Sequence, residues 1–131
     1  MQTLRKVTYV EDDADIREVA VLALEVVGGF EVQTCSSGEE AVALAADFGP
    51  DLFLLDVMMA PGMDGPATLA RLREIPALAA TPAIFMTAKV QPQEVAALRA
   101  LGALDVIAKP FDPMTLADTM RAIWASRGEE R

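Results

Sequence analysis

Strand-like and helix-like patterns alternate along the whole chain, and this constrains the fold more than any other feature of the sequence. Residues 7–10 form a short β-prone run that ends in Glu11-Asp12-Asp13. The following segment carries Ile16, Val19, Ala20, Leu24 and Val27 at helical spacing. Either Asp13 or Asp15 can cap its start, and Gly28-Gly29 ends it. Residues 30–35 read as a second strand. Ser36 and Glu39 then have capping-box spacing ahead of a helix that runs to about Phe48 and stops at Gly49-Pro50. Residues 52–57 are nearly all apolar, as a central strand covered on both faces requires. A turn-rich loop over 61–65 precedes a helix over 66–75, a strand over 83–87 and a helix over 92–101 closed by Gly102. Residues 106–108 form the fifth strand. Asp112-Pro113 reads as an N-cap followed by proline at the first helical position, opening a last helix to about Trp124.

Five strands and five helices in strict alternation specify an α/β fold with a parallel sheet. Right-handed crossovers make it a flavodoxin-like, doubly wound sheet, for which the order 2-1-3-4-5 is the common solution. The length of 131 residues suits one domain, 1–131, with a core over about 5–126 and a short tail beginning near Arg127. With 53% hydrophobic residues the chain can bury a core. Histidine is absent, which removes every imidazole-based base, nucleophile or metal site. The lone Cys35 cannot form an internal disulfide and suits a reducing compartment. A net charge of -9 repels nucleic acid and anionic membrane surfaces. No apolar run reaches the length of a membrane span, and no secretory signal pattern opens the chain. The expectation is a cytoplasmic protein.

In a doubly wound sheet the working site lies at the carboxyl ends of the strands, where the strand order reverses. Here that point falls between the first and third strands. The first ends in Glu11-Asp12 and the third reaches Asp56, and adjacent strands lie about 4.8 Å apart. Thr87 ends the fourth strand and Lys109 follows the fifth, on the same rim. Three carboxylates against one ammonium leave the pocket net negative. Two carboxylates about 4 Å apart repel by about 4 kcal/mol at an effective dielectric near 20. Oxygen-only ligands select a hard divalent cation, and a half-built site suits Mg²⁺. A carboxylate can also attack phosphorus to give an aspartyl-phosphate.

Each residue alone has a plainer reading. An acidic helix start answers the macrodipole; Asp56 alone could be a turn residue, and Lys109 a solvated lysine. Met58, Met59 and Met63 are more often packing residues than ligands. Convergence of the polar groups at four strand ends favours a site.

These residues occur in motifs: Tyr-Val-Glu-Asp-Asp (9–13), Leu-Leu-Asp-Val-Met-Met (54–59), Pro-Gly-Met-Asp-Gly (61–65), Met-Thr-Ala (86–88) and Lys-Pro-Phe (109–111). With them, residues 7–124 resemble the receiver domain of bacterial two-component response regulators, of the single-domain chemotaxis type. The resemblance implies a signalling phosphoacceptor rather than an enzyme acting on a separate substrate. Asp56 would accept a phosphoryl group from a phosphohistidine on a sensor histidine kinase or histidine phosphotransfer protein. Asp12, Asp56 and the Met58 backbone carbonyl would bind Mg²⁺ directly, and Glu11 through water. Thr87 and Lys109 would contact the phosphoryl group, and Lys109–Pro110 would be a cis peptide. The output would be a contact with an unknown downstream protein, with neither nucleic acid nor membrane as partner.

Three departures from the family pattern stand out. Ala60 adds one residue between Asp56 and Pro61, so the loop must bulge. Val106 replaces a commonly aromatic position, and Met58 and Lys89 flank the pocket. Three other functions fit less well. An aspartyl-phosphate phosphatase would want a second acid at Met58. A flavodoxin-like electron carrier would want a phosphate-cradling loop where Glu11-Asp12-Asp13 stands. A degenerate receiver would lack the acidic set.

Overall fold

A computed structural model describes residues 3–127. Five parallel strands form one sheet in the order β2-β1-β3-β4-β5. They are β1 (Lys6–Val10), β2 (Glu31–Cys35), β3 (Leu52–Asp56), β4 (Ala83–Thr87) and β5 (Asp105–Ala108). The helices are α1 (Ala14–Leu22), α2 (Gly38–Phe48), α3 (Gly65–Arg73), α4 (Pro92–Ala100) and α5 (Leu116–Ser126). The doubly wound fold and its strand order are those the alternation implies. Arg127, expected to open the tail, instead caps the end of α5 and donates to the Trp124 carbonyl at 2.6 Å; the rest of the expected tail, 128–131, lies outside the described residues.

The two-residue period of the strands sorts their side chains into two cores. Val7, Tyr9, Leu52, Leu54, Ile84, Met86 and Ile107 pack beneath α1 and α5, against Ala20, Leu24, Leu116, Met120 and Trp124. Val10, Phe53, Leu55, Ala83 and Phe85 pack on the other face with Ala41, Ala45, Leu69 and Leu72. All five positions of β3 and of β4 are buried, as expected of strands covered on both sides.

Several local expectations are corrected. The capping residue of α2 is Ser37, not Ser36: its hydroxyl accepts from the Glu40 amide, while the Glu40 carboxylate accepts from the Ser36 amide. Glu39 is thereby released and accepts instead from the Met63 amide at 3.3 Å. Asp112 does not cap α5. It accepts from the Met114 amide and closes a turn, and α5 begins at Leu116 after Thr115. The first helix continues through a π-helical turn, Ala23–Val27. Between α3 and β4 lies a 3-10 turn, Pro76–Leu78, which the sequence pattern did not reveal. Asp13 caps α1, accepting from the Asp15 and Ile16 amides.

Candidate functional site

Strand parity delivers three charged groups to one place. Glu11 follows Val7 and Tyr9 in alternation, Asp56 follows Leu52 and Leu54, and Lys109 follows Ile107. All three therefore stand above the α1/α5 core at the carboxyl edge of the sheet. Lys109 Nζ lies 3.0 Å from Glu11 Oε1 and 3.2 Å from Asp56 Oδ1. Glu11 and Asp56 are 1% and 2% exposed, so one ammonium serves two buried carboxylates. Asp12, beside them, is exposed. Its Oδ2 accepts from the Ala60 amide at 3.3 Å. The residue added to the loop therefore provides the donor that holds Asp12. That loop contains a cis Ala60–Pro61 peptide and Gly62 at φ +99°. Lys109–Pro110 is also cis.

Glu11, Asp12 and Asp56 each offer an oxygen within 4.8 Å of the others. The donor set is all oxygen and all anionic, which fits a hard divalent cation and leaves room for water and phosphate. Met58 is exposed and lines, with Asp12, Met59 and Ala60, a groove of about 530 Å³ beside the carboxylates.

Thr87 is buried at the end of β4. The Asp56–Met86 register sets it one step beyond Asp56 on the neighbouring strand. Its backbone carbonyl accepts from the Lys109 amide at 2.9 Å. Its hydroxyl oxygen accepts from the Lys89 amide at 3.1 Å, which leaves the hydroxyl proton available to donate. Val106, in place of an aromatic ring, is half-buried against the core on the α2/α3 face.

The electrostatics follow from burial. Desolvation, reinforced by Asp56, pushes the Glu11 carboxyl up to about 7, against the opposing pull of Lys109. Burial alone would lower Lys109. Its hydrogen bond to Glu11 and the charge of Asp56 outweigh that and raise it, so the ammonium stays charged.

Two residues that the sequence reading did not single out support this site. The Tyr9 hydroxyl lies 3.4 Å from Glu11 Oε1, and Arg17 donates to the Glu11 carbonyl at 2.7 Å. The available signal for Tyr9 was its parity, two residues before Glu11 on the same strand. Burial, then the Glu11 charge, raises the Tyr9 phenol well above its ordinary value, so it remains a donor. Among the described residues no helix is long and apolar enough to cross a membrane.

The family profile described as "Response regulator receiver domain" matches residues 7–121. The phosphate regulon transcriptional regulatory protein PhoB of Pseudomonas aeruginosa is 34% identical over 95% of this chain and 53% of its own length. The probable transcriptional regulator ycf27 of Guillardia theta is 36% identical over 94% of this chain and 46% of its own. The chain thus spans about half the length of the curated relatives it matches. Among solved structures, the chemotaxis response regulator CheY4 of Vibrio cholerae superposes with a TM-score of 0.83 at 32% identity, covering 92% of this chain and 99% of that one.

Proposed function

The chain belongs to the response regulator receiver domain family, and from that premise we propose that it is a Mg²⁺-dependent phosphoacceptor whose acceptor is Asp56. The carrying observation is the pairing of buried Asp56 with Lys109 at 3.2 Å inside a three-carboxylate cluster. In the proposed reaction an Asp56 carboxylate oxygen attacks the phosphorus of a phosphohistidine. The new O–P bond forms as the N–P bond breaks, and the imidazole leaves with the bonding pair. Lys109 faces the incoming negative charge, and the Thr87 hydroxyl donates to a phosphoryl oxygen. Glu11, Asp12, Asp56 and the Met58 carbonyl would hold Mg²⁺, which supplies charge neutralisation when bound. The donor is a sensor histidine kinase or a histidine phosphotransfer protein. The output is a changed protein contact, made by residues 1–131 as one receiver unit in the cytoplasm. With a net charge of -9 this unit contacts protein rather than nucleic acid or membrane.

The test is incubation with acetyl phosphate and Mg²⁺, followed by intact mass and site mapping. The wild type should gain one base-labile phosphoryl adduct, and Asp56→Asn should gain none. An adduct of wild-type yield on the variant would overturn the assignment.

The cation is tested by thermal melts. Hundredfold-saturating Mg²⁺ should stabilise the wild type by about 2.7 kcal/mol, because the unfolded chain does not hold the ligands together. Asp12→Asn should lose most of that gain. In chelator the same variant should melt about 3–5 °C higher. It removes one repelling charge, which at the exposed Asp12 is screened by solvent to about 1 kcal/mol near 4 Å, while the amide oxygen can still accept from Ala60. Equal Mg²⁺ shifts in both proteins would show that Asp12 is not a ligand.

A further inference from the structure

Glu11 is held on every side. Oε1 accepts from Lys109 Nζ at 3.0 Å and lies 3.4 Å from the Tyr9 hydroxyl. Oε2 accepts from the Asp13 amide at 3.2 Å, and the backbone carbonyl accepts from Arg17 at 2.7 Å. A carboxylate oxygen has two lone pairs. Lys109 takes one on Oε1 and the Tyr9 hydroxyl faces the other, while the Asp13 amide takes one on Oε2. The remaining lone pair, on Oε2, has no N–H or hydroxyl donor among the described residues, and the Asp56 carboxyl lies within hydrogen-bond reach of the same group.

We propose that Tyr9 is a positioning residue: its hydroxyl fixes the Glu11 carboxylate so that Oε2 alone serves a divalent cation or the water bound to it. The inference rests on the cation site proposed above and adds a residue to it. Tyr9 suits the role because its ring cannot wander. It is fully buried in the core beneath α1 and α5, among Ala20, Leu24, Leu54 and Met86. Its hydroxyl emerges from that core at the level of the carboxylates. A phenol held by close packing sets the position of its partner, whereas a flexible donor would follow it. Outer-shell donors of this kind orient a ligand and set its basicity, and their loss typically weakens metal binding by about 10–100-fold.

Tyr9→Phe removes only the hydroxyl and keeps the ring. Calorimetric titration with MgCl₂ should give a dissociation constant roughly tenfold weaker than wild type. In the wild type, Mg²⁺ should also perturb the near-ultraviolet absorption of Tyr9, the only tyrosine in the chain. In a Glu11→Gln background, Tyr9→Phe should change Mg²⁺ affinity no further, since the pair acts as a unit. A purely structural hydroxyl would lower the melting temperature in chelator yet leave the Mg²⁺ dissociation constant unchanged, and that result overturns the inference alone. Absence of any Mg²⁺ binding by the wild type would instead overturn the cation site, and this inference with it.

Discussion

Replacing Lys109 with methionine should destabilise the protein by about 3–5 kcal/mol at pH 8 and by much less at pH 5, both in chelator. The ammonium is the partner of two carboxylates that are almost completely buried, at 3.0 and 3.2 Å. Removing one partner of a buried ionic cluster leaves charge without compensation, which costs more than the intact cluster contributes. The pH dependence has a definite sign. Glu11 already titrates near 7 in the folded protein, above its ordinary value of 4.5, because it is desolvated and lies beside Asp56. The folded state therefore binds this proton more tightly than the unfolded chain, and stability falls as pH rises from 4.5 through the folded value. Lys109 is what restrains the shift. Without it the folded value climbs further, and the loss deepens above pH 7. At pH 5 a proton on Glu11 takes over part of the work of the ammonium. Denaturant unfolding at the two pH values measures the difference; an equal loss at both would refute this account.

Gly65→Ala should cost about 3 kcal/mol and slow acetyl phosphate labelling of Asp56. A Cβ at Gly65 would stand 2.4 Å from the Asp56 carbonyl oxygen and 2.9 Å from Val57 Cα. Both are backbone atoms, so no side-chain rotation relieves the clash. The first turn of α3 must move away, or the end of β3 must move and take the acceptor with it. The Gly65 amide also donates to the Val57 carbonyl at 2.9 Å, which ties the two segments together. Displacing a reacting group by about 1 Å can cost about 100-fold in rate. Gly49→Ala is the internal comparison. Gly49 has φ +70° with nothing within 4 Å of an added Cβ, so it carries backbone strain alone, about 1 kcal/mol. If the two variants lose equal stability and label equally fast, the contact between α3 and β3 does not position the acceptor.

The architecture, and the rim on which the charges gather, follow from the order of residues alone. Alternation of strand and helix patterns, the right-handed crossover and two-residue parity are local or topological rules. Together they bring Glu11, Asp12, Asp56, Thr87 and Lys109 to one edge, and the structure places them there. Stops such as Gly49 were legible because a left-handed residue ends a helix without help from its neighbours. Competition between nearby donors and acceptors was decided only in three dimensions. Ser36–Glu39 and Ser37–Glu40 have the same spacing, and the second pair caps α2 while Glu39 reaches the Met63 amide across the fold. Asp112-Pro113 has every local mark of a helix start, yet α5 begins three residues later, where Leu116 and Ala117 can enter the α1/α5 core. The Tyr9–Glu11 contact and the Lys109–Glu11 pair, separated by 98 residues, depend on side-chain reach and on close packing of the strands. Parity gives the shared face but not the contact itself, because a pattern states which face a side chain takes and packing states which atom it meets there.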